Sequence, residues 1–293
     1  MSVNDLWEVV KEAASRWVED YAQSMGAALA YYTMFSIAPL LLVVISIGGF
    51  FFGEQAARGE ILNRLSGMLG APGALAVQGL LESVQHPTES IAATTVGIVL
   101  LLIGATSVFG ELQDALDRIW RVPPKPGESG LWGLIRARLL SFAMILGIGL
   151  LLVASLIASA VWAALRKWWG PAFGAWAATS VVELASSFVI VTVLFALIYK
   201  TIPRVTIHWK DVWIGAAATS LLFTIGKWLI GVYIGRSGIT SGFGAAASLV
   251  AVLVWVFYSA QIFLLGAEFT CAYAYRFGSR QSSSSSNEAP GQM

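Results

Sequence analysis

A chain of 293 residues in which 57% are apolar and only 12% charged carries about half the charge of an ordinary soluble domain, roughly 25%. Its length allows one compact helical bundle and little else, and a net charge of +1 gives no electrostatic basis for a nucleic-acid partner. The single cysteine, Cys271, excludes an intrachain disulfide; it reads as a small apolar residue at a helix end, the sharper alternative being a reactive or metal-binding thiol.

Residues 3–23 come first, with Leu6, Trp7, Val10, Ala14, Trp17, Val18 and Tyr21 at helical spacings of three and four. Ser2 and Asp5 resemble a capping box. The expectation is an amphipathic helix lying on the cytoplasmic surface or packed beneath a bundle. Its polar face is acidic, which argues against simple attraction to anionic lipid. No cleavable signal peptide is expected, because the first apolar run is too long for one.

Six apolar stretches follow: Ala27–Gly53, Ser90–Gly110, Leu139–Ala164, Ala177–Lys200, Val212–Val232 and Ala246–Thr270. Each has about 20 residues or more, enough to span a ~30 Å hydrocarbon layer as a helix, and in lipid each segment must satisfy its own backbone. The expected fold is all-α: a polytopic membrane bundle with six transmembrane helices plus amphipathic N-terminal and connecting helices. Residues 1–277 form one transmembrane domain, and the Ser-rich tail, 278–293, is expected to be disordered.

Basic residues orient the bundle. Lys11, Arg16, Arg118, Arg121, Lys125, Arg136, Arg138, Lys200, Arg204, Lys210, Arg276 and Arg280 fall on one side. Arg58, Arg64, Arg166, Lys167 and Arg236 fall on the other. Cytoplasmic loops carry the Lys/Arg excess, so both termini should be cytoplasmic. Trp162, Trp168, Trp169 and Trp176 mark one interface and Trp209 and Trp213 the other, while Trp255 sits mid-span and packs between helices.

Between spans one and two, residues 54–89 suggest two short helices separated by Gly70-Ala71-Pro72-Gly73. They form a packed cap on the outer face or line an entry from the outer leaflet. Span two runs on into Glu111–Trp120, with Leu112, Ala115, Leu116 and Ile119 as one stripe and Gln113, Asp114 and Asp117 facing elsewhere. Val122-Pro123-Pro124 ends that helix. Residues 233–245 are a glycine-rich external loop.

Four segments carry a family resemblance. Gly26–Leu40, Leu112–Trp120, Tyr199-Lys200-Thr201-Ile202-Pro203 and Phe263–Phe269 resemble, in that order, segments of the YihY/BrkB family of bacterial inner-membrane proteins. The likeness runs from about residue 10 to 275; Asp117 stands where Asn is more frequent. It implies a six-span bundle in the cytoplasmic membrane, without an established common biochemical activity. Members are associated with envelope integrity, serum resistance and lipid transport, and some carry an older ribonuclease label.

That label can be tested on the residues. Metal-dependent RNA hydrolysis needs clustered His, Asp or Cys, and the two histidines, His86 and His208, fall on opposite sides of the predicted membrane. No P-loop, G-x-G-x-x-G or G-x-S-x-G occurs. No catalytic residue, cofactor or metal site is expected, so the protein reads as no enzyme.

Ionisable residues within spans need a reason. Glu183 and Lys227 stand at matched depth near the outer ends of consecutive antiparallel spans, with Ser187 beside Glu183 and Ser220 and Thr224 beside Lys227. They form a polar cavity, in which Lys227 attracts an anionic headgroup, or a structural ion pair, or else Lys227 snorkels to the interface. Glu268 lies at the cytoplasmic end of span six within reach of basic residues, with Gln261 two turns deeper. Pro39, with Ser36, interrupts span one. The first reading is a cytoplasmic-membrane protein of the bacterial envelope that moves or binds a lipid-like amphiphile. The second is a non-transporting scaffold for an envelope complex. Membrane lipids are the expected partners; no nucleic acid is, and the sequence leaves oligomeric state open.

Overall fold

The computed structural model describes residues 3–63, 77–79, 81, 107–123, 176–236 and 247–281, all helical or in the turns between helices. The helices are α1 (Val3–Glu19), α2 (Ala22–Phe52), α3 (54–63), α4 (107–119), α5 (Trp176–Thr201), α6 (Trp209–Arg236) and α7 (Ala247–Arg276). The fold is all-α. Among the described residues, Trp209–Ile230 and Leu249–Arg276 are long and apolar enough to cross a membrane. Spans two and three, apart from 107–110, lie outside the described residues, as does the glycine-rich loop from 237 to 245.

Helix α7 is the axis. It packs against α1, α2 and α6, and α6 packs in turn against α5. Its neighbours come close because the contact positions are small. A Cβ on Gly215 would meet Thr270 and one on Gly266 would meet Thr219, each about 2 Å from the threonine hydroxyl. Two reciprocal glycine–threonine seats therefore let α6 and α7 approach backbone to backbone, the small-residue packing of membrane helices.

The core beside these seats is aromatic. Phe195 and Tyr199 from α5, Phe223 from α6 and Phe263 from α7 stand with ring centroids 5.1–6.2 Å apart, within the range where aromatic pairs attract. The opposite arc of α6 is bare: Ile214, Leu221, Leu222, Ile225, Trp228 and Leu229 are all exposed. A helix apolar all round with one face uncovered is suited to lipid.

The first expected helix is interrupted. It ends at Glu19, and Tyr21 adopts a left-handed conformation (φ 56°) before α2 begins. Val9 and Ala13 bury against the bundle while Leu6, Trp7, Val10, Val18 and Tyr21 remain exposed. The apolar arc is thus wider than the contact α7 offers, and the surplus faces outward, as on a helix lying in a membrane interface.

The connection after α2 is packed. Ile61, Val77 and Leu81 are buried with Leu41, Ile45 and Val252. The stripe on α4 is also buried: Ala115, Leu116 and Ile119 close onto α5 and α7, with Leu112 at the edge and Asp114 exposed. At the other end of the chain, residues 278–281 stay attached to the bundle: the Ser279 N–H and hydroxyl both donate to buried Asp211, at 2.9 and 2.7 Å. The rest of the Ser-rich tail lies outside the described residues.

Candidate functional site

Two groups of polar residues lie within or at the edge of the apolar bundle. The first is the outer pair expected from charge and depth. Glu183 belongs to α5, but its side chain lies outside the described residues. Ser187 is exposed and Lys227 half-buried. Thr224 donates to the Ser220 carbonyl at 2.8 Å, one turn back. The Ser220 hydroxyl is fully buried and has no hydrogen-bond partner. Ser220, Thr224 and Lys227 share one flank of α6, away from the bare lipid-facing arc.

Of the remaining expected residues, Ser36 is buried and donates to the Thr33 carbonyl at 3.2 Å. Helix α2 continues through Pro39, whose side chain lies outside the described residues. Gln261 reaches across from α7 and donates to the Ala22 carbonyl at 3.4 Å; its own oxygen is buried without a partner. Gly26 is the glycine that leaves it room, since a Cβ there would sit 2.0 Å from the Gln261 Nε2.

Glu268 belongs to a second group, at the end of the bundle where the α1–α2 elbow meets α7. It is 0% exposed, and neither carboxylate oxygen has a hydrogen-bond partner. Asp20, in the elbow between α1 and α2, lies within hydrogen-bonding reach, and the charges of Arg16 and Arg121 act on the same site. Asp20 is 2% exposed; its Oδ1 pairs with Arg121 at 2.8 Å while its Oδ2 has no partner. Arg16 pairs with Glu12 on its own helix and points its other nitrogen at the buried Cys271 sulfur, 3.6 Å away. Ionic partners, together with the negative groups around it, hold the Arg16 guanidinium above its ordinary pKa despite the opposing effect of burial.

Two unusual backbones hold this group together. Helix α4 ends with Val122 N–H bonded to the Asp117 carbonyl and Arg121 N–H to the Arg118 carbonyl. That is a Schellman end, which normally places glycine at its left-handed position. Here the position is Arg121, at φ 52°. Among the described residues Tyr21 and Arg121 are the only non-glycines at positive φ, and the Asp20–Arg121 ion pair joins the two turns that contain them. Arg118 also lies over the Tyr21 ring, 5.8 Å from its centre.

Below α4, Gln113 and Asp117 grip the connection that follows α5. Gln113 donates to the Ile202 carbonyl at 3.1 Å, and Asp117 accepts the Arg204 N–H at 2.8 Å and faces its guanidinium at 3.5 Å. Burial pushes the Asp117 carboxyl up, against the lowering pull of the Arg204 N–H and charge. The two motif segments 112–120 and 199–203 are therefore one structural clamp. A pocket of about 550 Å³ beside it is lined by Lys200, Thr206, Ile207, His208, Trp209 and Lys210. Its Lys200 amine is already committed to the Ile207 carbonyl and the Trp209 ring.

Among the described residues no group of three or more His, Cys, Asp or Glu is placed to hold a metal. Sequence reasoning singled out Glu268 and Gln261, but not Asp20 and Arg121. Asp20 looked like one more acid on the polar face of a helix, and Arg121 one more cytoplasmic base. Only the breaks at Tyr21 and Arg121 turn them inward.

The relatives found by comparison with known proteins are membrane proteins. UPF0761 membrane proteins of Pseudomonas aeruginosa are 29% identical over 277 residues, covering 92% of this chain and 63% of theirs. One from Stenotrophomonas maltophilia is 24% identical over 263 residues, 88% of this chain and 59% of its own. One from Alcanivorax borkumensis is 28% identical over 256 residues, 85% and 56%. The chain spans about three-fifths of the length of the curated relatives it matches. No solved structure matches it. The family model described as virulence factor BrkB matches residues 13–290, a stretch that takes in the elbow, the clamp and the last helix together, and the chain belongs to that family of membrane proteins.

Proposed function

We propose that this protein is a six-span protein of the bacterial cytoplasmic membrane, both termini cytoplasmic, that binds or moves a lipid-like amphiphile. The observation that carries the reading is the asymmetry of α6. One arc offers lipid an unbroken apolar face, from Ile214 to Leu229. The adjoining flank carries the unpartnered hydroxyl of Ser220, Thr224 and the half-buried amine of Lys227. An amphiphile has the same two halves. Its chains lie on the apolar arc while its anionic headgroup meets Lys227, a cation near the membrane boundary.

No nucleotide-binding motif is present in the sequence, so movement would draw on an ion gradient, a partner or the amphiphile's own gradient. The close glycine–threonine packing of α6 on α7 favours the second reading, a rigid scaffold for an envelope complex. A photoreactive anionic phospholipid separates them. In reconstituted protein it should label α6 next to Lys227, and Lys227→Gln should abolish the labelling. Labelling spread evenly over the bundle, unchanged by that substitution, would favour the scaffold.

A further inference from the structure

We propose that Asp20 and Glu268 share one exchangeable proton, making the α1–α2 elbow and the last helix a proton-binding latch at the cytoplasmic end of the bundle.

The argument begins with unpaired acceptors. Glu268 Oε1, Glu268 Oε2 and Asp20 Oδ2 are all buried without hydrogen-bond partners. The two carboxyl groups that carry them lie within hydrogen-bonding reach of each other. Two ionised carboxylates cannot satisfy one another, since each only accepts. One proton between them changes this. It gives one oxygen a donor and the facing oxygen its partner, and removes one of two adjacent negative charges, the arrangement by which paired carboxyls hold a proton.

The cations nearby do not remove the need. From α1, Arg16 is paired with Glu12 and directed at Cys271. From the end of α4, Arg121 is paired with Asp20 Oδ1. On α7 itself the neighbour is the Cys271 thiol, whose sulfur also lies 3.5 Å from the Ile119 carbonyl. From beyond α7, Arg280 stacks over the Trp120 and Tyr275 rings, and its charge acts on Cys271. From α6, Asp211 is bound to Ser279. Arg16 and Arg121 temper the charge of the pair, yet no guanidinium hydrogen-bonds Glu268. An ionised, unpaired carboxylate in this position is strongly destabilising.

The pair also joins two separate elements. Asp20 sits at the break between α1 and α2, next to left-handed Tyr21. Glu268 sits on the helix that α1, α2 and α6 all pack against. With the proton bound, the elbow is docked on α7. With it lost, two negative charges face each other in a buried site, and the elbow is pushed away toward water. The proton enters and leaves on the cytoplasmic side, and this holds whatever the bundle carries.

Infrared spectroscopy of the full chain in lipid nanodiscs tests the pair directly. The folded protein should show a carboxylic-acid C=O band that disappears as pH is raised. Glu268→Gln, which keeps a permanent donor at the same place, should remove the band, and Asp20→Asn should shift it. The wild-type melting midpoint should fall on alkalinisation over the same range, and that of Glu268→Gln should fall less, keeping only the slope owed to other acids such as Asp117. Absence of any pH-sensitive acid band in the wild type, or a band untouched by both substitutions, overturns the proposal. So does a Glu268→Gln melting midpoint with the wild-type pH dependence. Should neither variant fold, isotope-labelled glutamate in the wild type decides, because a band that fails to move with the label does not come from Glu268.

Discussion

The hydroxyl of Tyr199 donates to the main-chain carbonyl of Phe263 at 2.8 Å and stands 3.1 Å from the Thr219 hydroxyl. One fully buried side chain thereby ties α5, α6 and α7 at a single level. Thr219 in turn donates to the Gly215 carbonyl at 2.7 Å and is the residue against which Gly266 is seated. Tyr199→Phe keeps the ring packing and removes only the oxygen. It should lower stability by about 1 kcal/mol, the net worth of a buried hydrogen bond, measured as a drop in melting midpoint in detergent. An unchanged midpoint would mean that aromatic packing alone holds this level.

Asp117 should make stability depend on pH in an unusual direction. Burial raises its carboxyl above the ordinary value, against the lowering pull of Arg204. An acid whose pKa is raised on folding holds its proton more tightly in the native state. Its contribution is therefore full at low pH and declines as pH rises through the folded pKa. Asp117→Asn keeps an acceptor for the Arg204 N–H and should flatten that dependence. Asp117→Ala, which removes the grip on residue 204, should cost more than Asn at every pH. Thermal melts across a pH series of the three proteins check both statements.

The outer pair calls for a double-mutant cycle. If Glu183 and Lys227 neutralise one another, Glu183→Gln or Lys227→Gln alone strands a charge in an apolar bundle, and the double variant does not. The expected order of stability places the double variant above each single one. Strictly additive losses would separate the two residues.

Topology has its own test. A cytoplasm-active reporter fused after Phe277 should be active, and a periplasm-active one silent, because the Lys/Arg excess lies on that side. The opposite pattern would invert the bundle and move the Asp20–Glu268 pair to the outer face.

Much of the described fold was legible in the chain because lipid permits so few solutions. Within the described residues the apolar runs became helices a few residues longer than hydropathy alone suggests: 177–200 became Trp176–Thr201, and 212–232 became Trp209–Arg236. The extra residues are amphipathic or charged ends, such as Trp209-Lys210-Asp211, that continue a helix beyond the apolar core. The α4 stripe was equally readable, since its 3.6-residue period and the halt at Val122-Pro123 agree. The elbow was not. Tyr21 carries no turn signature, because non-glycines adopt a left-handed conformation through tertiary context rather than propensity. Without that break, Asp20 belongs to the polar face of a longer helix. For the same reason Glu268 could be recognised as costly in the sequence, while its acidic partner could not.

The central claim, that the bundle binds or moves an amphiphile, is tested most directly in its transport form by lipid scrambling in proteoliposomes. Purified protein is reconstituted into vesicles carrying a headgroup-labelled anionic phospholipid, and loss of the label to a membrane-impermeant quencher is followed. The account predicts that quenching proceeds beyond the outer-leaflet half in vesicles with wild-type protein, and stops at that half with folded Lys227→Gln protein. Quenching that stops at the outer leaflet with folded wild-type protein, under an imposed pH gradient of either sign as well as without one, would contradict it.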